Sequence, residues 1–429
     1  MIPLVRRRGA FVSPWLTKAP IAAALVAVVL AGCGGSGSSG AGSSNSAGAG
    51  LTSVGGSGDD PDGPAYVDWP LFGRVPQRTH YLPAQSRALD PPLRQAWSVN
   101  THALIEFPPA IHDGIAYVIN KYGNGKAVRL RDRKILWELK VRPSDRGKPN
   151  FVTAPVYYRG LVYGAFLDGH LAAGDARTGR RVWVRNLHAH LESSPLAVDG
   201  TLYLGTDTTD VVALRASDGA IRWRFNSPAA IKASPSYDGG RVFAADYQSA
   251  VFALDARTGK SIWRTNTSKV APYGKGGFFS SPAVAFGRVY AARDDGTVYA
   301  FDEWSGKVDW SFDTGGYVYG SPAVAQVPGT PPTVYIGSED GRFFALDART
   351  GKPRWHYDVG GPVPGTATVI GHTVYVSSFK TRKTIGLDVR SHRRTFQIDQ
   401  AGYTPMVSDG RRLYLVGYYV LVGLRPAPR

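Results

Sequence analysis

From Leu93 onward the sequence repeats itself with a period of ~40 residues, and such a chain must fold as a row of small units that bury their faces against one another. The best copies read SSPAVAFGRVYAARDDGTVYAFDEWSGKVDW, from Ser280 to Trp310, and ASPSYDGGRVFAADYQSAVFALDARTGKSIW, from Ala233 to Trp263. A Pro followed five residues later by a Gly recurs at Pro109/Gly114, Pro155/Gly160, Pro195/Gly200, Pro235/Gly240, Pro282/Gly287 and Pro405/Gly410. Thr366/Gly371 keeps the spacing without the proline, and an insertion at 326–333 stretches it after Pro322, which makes eight copies.

Each copy parses as four short strands. In the Ser280 copy, Ala283-Val284-Ala285 alternates up to a Gly, Val289-Tyr290 marks a second strand, and Asp294-Asp295-Gly296 is a turn whose Gly supplies positive φ. Val298 to Phe301 forms a third strand, and an Asp-x-x-x-Gly turn leads to a fourth that ends in Trp. No stretch of the repeat region has a 3.6-residue period. With 51 Gly, 30 Pro, 22 Tyr and 10 Trp, the composition suits many strands and tight turns. Four antiparallel strands per unit of this length is one propeller blade, so the expected fold is all-β, an eight-bladed β-propeller.

The fourth-strand anchors fall at Trp137, Trp183, Trp223, Trp263, Trp310, Trp355 and Phe396, seven for eight copies. The last copy runs out at Leu424 before any fourth strand, while Trp97 lies one period ahead of the first anchor. The segment around Trp97 is therefore expected to supply the missing outer strand of the last blade and leave no open edge at the seam. An Asp stands eight residues before the anchor at Asp175, Asp255, Asp302, Asp347 and Asp388, with Arg129 and Arg215 in that place in two others. These turns are expected to set the direction of each Trp ring as it fills the wedge between blades.

Ala253 to Trp263 (ALDARTGKSIW) and Ala345 to Trp355 (ALDARTGKPRW) resemble the tryptophan-docking repeat of pyrroloquinoline quinone (PQQ)-type propellers. Asp68-Trp69-Pro70-Leu71-Phe72-Gly73, with Arg78-Thr79 following, resembles the lead-in peptide that precedes such propellers. The resemblance covers about residues 66–424 and implies the architecture more than an activity. The family holds PQQ-dependent quinoprotein dehydrogenases of alcohols or sugars, and also non-enzymatic lipoproteins of the BamB type.

The N-terminus reads Arg6-Arg7-Arg8, an apolar run from Ala19 to Ala31, then Gly32-Cys33. A basic start with a short apolar stretch is a secretory signal, too short to span a bilayer. Leu30-Ala31-Gly32-Cys33 resembles a bacterial lipobox, with Cys33 the lipidation site. The expected domains are a signal at 1–32, a lipid-anchored Gly/Ser-rich tether at 33–65, the propeller at 66–424 and a tail at 425–429. Localisation on the outer side of the cytoplasmic membrane, anchored by lipid, follows from that reading.

Lys and Arg number 50 against 33 Asp and Glu, a formal charge of +17, yet they are scattered and form no nucleic-acid patch. The single Cys rules out a vicinal disulfide, a CxxC pair or a haem-attachment CxxCH. Calcium asks for six to eight oxygen ligands, and Asp294-Asp295 and Glu339-Asp340 read as turn formers rather than ligands. His188 and His190 lack a third metal ligand and read as surface residues. No cofactor is expected; PQQ with Ca²⁺ belongs to the alternative, an alcohol- or sugar-oxidising quinoprotein dehydrogenase.

Binding function is expected on the rim where loops converge. The residue three before each repeat Pro enters the innermost strand there, giving Glu106, Glu192, Lys232, Phe279 and Tyr319 as candidates. Tyr273 and Lys275, in the loop from Lys269 to Phe279, join them. The function expected from sequence is thus a non-catalytic, monomeric binding or scaffold protein whose partner is another envelope protein or peptide.

Overall fold

Each copy folds as four antiparallel strands because its two central strands are apolar on both faces. Ala250–Asp255 is buried at every position but the last, whereas the outer strand Ser261–Asn266 buries only Trp263 completely. A sheet with two apolar faces has to lie between two others, and eight such sheets close into a ring. The computed structural model describes residues 66–83, 89–140, 153–269, 276–400, 402, 406–417 and 419–427. Residues 59–429 form one compact unit. The signal and tether, with Cys33, lie outside the described residues, as do Tyr273 and Lys275.

The blades are, in order, Ala110–Lys140, Val156–Asn186, Leu196–Asn226, Ser236–Asn266, Ala283–Asp313, Ala323–Asp358, Thr368–Ile398 and a last one from Val407 to Pro426. The last contains only three strands of its own, and Leu93–Asn100 supplies the fourth. It runs antiparallel to Val420–Pro426, from Leu93 opposite Pro426 to Asn100 opposite Val420, with a bulge between Gln95 and Trp97. The ring is an eight-bladed propeller of four-stranded antiparallel blades, shut by its own N-terminal strand, as the repeat count predicts. Among the described residues there is no α-helix.

The Trp rings work across blades. The indole N–H of Trp137, Trp183, Trp223, Trp263 and Trp310 donates to a carbonyl of the following blade, those of Ala176, Ala216, Ala256, Glu303 and Ala348, at 2.8–3.1 Å. The turn glycine therefore serves its neighbour. Gly259, at φ +73°, lies so close to Trp223 of the preceding blade that a Cβ would sit 2.6 Å from the ring. Its own turn is held by Asp255, whose Oδ1 accepts from the Thr258 N–H and hydroxyl at 2.7 and 2.6 Å. In the seventh blade His392 takes the glycine's place at φ +60° and stacks on Trp355. Phe396 is buried in the core beside Tyr375. Trp97 is buried against Tyr414 of its own sheet.

A second inter-blade link lies nearer the axis. The Ser or Thr that opens each innermost segment accepts a backbone N–H from the blade before: Ser194 from Ala154, Ser234 from Ser194, Ser281 from Ser234, Ser321 from Ser281 and Thr366 from Ser321, at 2.8–3.1 Å. Hydroxyl and amide alternate around six blades.

The lead-in peptide closes the axis from one side. Its carbonyls Trp69, Pro70, Pro76, Gln77, Thr79 and His80 accept from Ile111, Tyr157, Tyr237, Val284, Val324 and Val369, one in each of six innermost strands. Tyr81–Leu82 adds a parallel fifth strand to the seventh sheet. At the centre Arg78 is fully buried, and its guanidinium donates to the carbonyls of Pro235 and Phe72 at 2.6 Å and of Ser194 and Pro195 at 3.0 and 3.2 Å. Burial pulls this group down to about 9, which leaves it charged at neutral pH. The same burial pushes His80 to about 3, so its imidazole is neutral.

Candidate functional site

Antiparallel strands send alternate loops to opposite faces, so the loop before each innermost strand shares a face with the turn between the second and third strands. The lead-in peptide enters from the other face, where Asp68 accepts from the Asp113 N–H and pairs with His112. The opposite end of the ring, its mouth, carries among the described residues the loops before the innermost strands and the turns between second and third strands. At its inner positions stand Glu106 and Lys121 in the first blade, Glu192 and Asp207 in the third, and Lys232 and Tyr247 in the fourth. Phe279 and Asp294 follow in the fifth, and Tyr319 and Glu339 in the sixth.

Four of the sequence candidates meet there as one wall. Lys232 Nζ donates to Glu192 Oε1 at 2.9 Å and lies 5.4 Å from the ring centres of both Tyr247 and Phe279. Phe279 meets Tyr247 edge-on at 4.7 Å and Tyr319 at 5.6 Å between centroids. A carboxylate, an ammonium and three aromatic rings thus follow one another across four blades. The wall is well supported, since Gly277 packs against the Tyr247 ring and its N–H donates to Asp294 Oδ1 at 2.9 Å.

Charge at this wall is partly shut away from water. Burial raises the Asp294 carboxyl above its usual range, and the nearby Asp295 adds to this. Burial also raises Glu339, whose Oε1 is enclosed without a hydrogen-bond partner among the described residues. Burial raises the phenols of Tyr247 and Tyr319; Asp294 acts on both, with Glu192 adding to the first and Glu339 to the second. Tyr247, Asp294 and Glu339 were not among the binding candidates from sequence, and the two acids read there as turn formers. The usable signal was topological, because Asp294 follows Phe279 by the same fifteen positions that separate Tyr247 from Lys232.

Glu106 stands apart from this wall, on the first blade. Burial raises its carboxyl from 4.5 to about 7, against the opposing pull of Lys121. The unfolded chain gives up this proton at lower pH than the folded one. The protonated carboxyl's share of stability is therefore present below about 4.5 and lost as pH rises through about 7. Glu106→Gln should flatten that part of a melting-temperature profile between pH 4.5 and 8, compared with the parent chain; identical profiles would remove Glu106 as the source.

His188 and His190 are engaged separately: His190 pairs with Asp207 through its backbone N–H at 2.7 Å and its ring at 3.1 Å, while the His188 backbone N–H donates to Asn186 Oδ1 at 2.7 Å. Among the described residues no three His, Cys, Asp or Glu side chains group as a metal site. The described carboxylates at the mouth are spread over four blades, Asp207 is engaged by His190 and Glu192 is already neutralised by Lys232, so the donor set does not fit a calcium ion of six or more oxygen ligands.

A family model described as "Outer membrane protein assembly factor BamB" matches residues 87–224, 167–277 and 232–419. The quinone-type alcohol dehydrogenase subunit of Komagataeibacter europaeus is 32% identical over 183 residues, 37% of this chain. That match spans only 25% of the dehydrogenase subunit's own length. Among solved structures, the quinohemoprotein alcohol dehydrogenase of Comamonas testosteroni superposes with a TM-score of 0.68 at 15% identity, covering 84% of this chain and 81% of that one. BamB from Moraxella catarrhalis gives 0.63 at 18% identity, covering 78% of this chain and 99% of its own. Both likenesses are likenesses of fold.

Proposed function

Since the chain belongs to the family whose model is described as the outer membrane protein assembly factor BamB, we propose that it is a non-catalytic binding or scaffold protein. It works outside the cytoplasmic membrane, lipid-anchored at Cys33, and captures an envelope protein or peptide at the open mouth of the ring. The observation that carries this reading is the wall of Glu192, Lys232, Tyr247, Phe279 and Tyr319. Aromatic rings with two-angle side chains and a charged pair are the residue types that anchor protein contacts at low entropic cost.

Phe279→Ala and Tyr319→Ala should weaken partner capture from envelope extracts by about tenfold each, while the melting temperature stays near that of the parent. Capture that is unchanged in the double variant would move the contact elsewhere on the ring.

A quinone-dependent oxidation is the second reading, favoured by the 32% identical stretch. Against it stand the donor chemistry of the mouth and the lack of a second Cys for a vicinal disulfide. Incubation with PQQ and Ca²⁺, followed by absorbance spectra and a dye-linked alcohol assay, separates the two: bound quinone with turnover would establish the enzyme in place of the scaffold.

A further inference from the structure

Lys232 shows what kind of group this wall accommodates. Its ammonium sits between a carboxylate, Glu192, and the rings of Tyr247 and Phe279, which is how proteins hold a cationic ligand. One step around the ring the same elements recur, and among the described residues no lysine fills them. Tyr319 lies against Phe279, and Asp294 and Glu339 both act on its phenol. Glu339 Oε1 is enclosed and accepts from no group among the described residues. Beside it Tyr317 holds its ring out from the rim, 63% exposed, and its carbonyl accepts from the Glu339 N–H at 2.8 Å.

The charge pattern agrees. The chain as a whole carries +17, yet among the described residues the inner positions of the mouth hold four carboxylates (Glu192, Asp207, Asp294 and Glu339), and Glu106, raised to about 7, against two lysines, Lys121 and Lys232. On a basic protein an acidic, aromatic-lined recess selects for positive charge locally and repels it elsewhere.

We propose that the mouth recognises a basic side chain of an extended partner peptide, whose ammonium or guanidinium group enters beside Tyr319 between Asp294 and Glu339, next to the seat that Lys232 fills. The wall runs over four blades, a span that suits a peptide rather than a single small amine, and Tyr317 extends it outward. Lys232 is then a positioning residue and a competitor. It holds Glu192 and the two rings in place, and its charge opposes the incoming one.

This inference rests on the binding reading above, and its test is separable from it. The full-length chain is titrated into fluorescein-labelled tetralysine, with labelled tetraglutamate and free butylamine in parallel, and anisotropy or competition is read near physiological ionic strength. Tetralysine is expected to bind, tetraglutamate not to bind, and butylamine to compete only weakly. Glu339→Gln should weaken tetralysine by about tenfold through loss of a charge-assisted contact. Tyr319→Leu should cost about threefold through loss of its ring face. Lys232→Met should tighten it, which no purely structural role for the wall would produce; melting curves check that each variant folds. Absence of tetralysine binding, preference for tetraglutamate, or butylamine competing as well as the peptide would each overturn the assignment. So would indifference to Glu339→Gln together with Lys232→Met. If tetralysine is ignored while Tyr319→Ala still abolishes partner capture, the cation assignment fails alone; if capture too is indifferent, the mouth itself is wrong.

Discussion

Arg78→Ala should lower the stability of the ring by about 3 kcal/mol or more and release the lead-in peptide to protease. The guanidinium is fully buried and serves four carbonyls from three separate parts of the chain: Phe72 in the lead-in, Ser194 and Pro195 at the third blade, and Pro235 at the fourth. Removing it leaves those acceptors orphaned in the channel and opens a cavity at the axis. Arg78→Met fills much of the space and donates nothing, so it separates volume from hydrogen bonding. Arg78→Lys keeps the charge and loses the planar fork. Thermal melting and limited proteolysis around residues 66–82 are the measurements. Unchanged melting and resistance in Arg78→Ala would mean that the six backbone bonds hold the lead-in by themselves.

Trp263→Ala carries the second large effect, about 3–5 kcal/mol. The ring is 8% exposed, packs against Phe243 and Phe301, meets Gly306 of the next blade and gives its N–H to Glu303 O at 3.0 Å. Deletion therefore opens a gap between the fourth and fifth blades and leaves a carbonyl without its donor. Trp263→Phe retains most of the apolar contact and should fall well short of the alanine loss. Equal losses would assign the whole effect to the hydrogen bond, and an unchanged melting temperature in Trp263→Ala would end the inter-blade role.

The blade count, the strand order and the closing strand were legible because they depend on period and alternation, which a single sequence displays. Trp97 was informative for arriving one period early. The lead-in peptide was less legible. Phe72, Arg78 and His80 have no periodicity, and a cation at the centre of a protein runs against the strong tendency of charge to lie outside. Only the three-dimensional ring shows that six innermost strands need acceptors along the axis. The hydroxyls of Ser194, Ser234, Ser281, Ser321 and Thr366 were present in the repeat as a plain Ser-Pro or Thr-Ala, but their partners lie ~40 residues away on another blade.

At the mouth, the innermost-strand rule brought Glu192, Lys232, Phe279 and Tyr319 together and left Glu106 on its own blade. Tyr247, Asp294 and Glu339 were missed because Asp and Glu beside a turn glycine have a sufficient local explanation. Which face a turn occupies becomes apparent only when the ring is assembled. The burial that raises Asp294 and Glu339 is likewise a property of the assembled fold rather than of the local sequence.

The pairing of Leu93–Asn100 with Val420–Pro426 also sets a schedule. More than three hundred residues separate Leu93–Asn100 from its partner and must be made before that edge is covered. Seven blades can stack as they emerge, each on its predecessor, but the circle stays a horseshoe until the C-terminal end arrives. Folding is therefore governed at its final step by a long-range contact, the slow kind. Loss of Val420–Pro426 alone would strip Leu93–Asn100 and Leu413–Gly417 of their shared partner, and so undo the clasp.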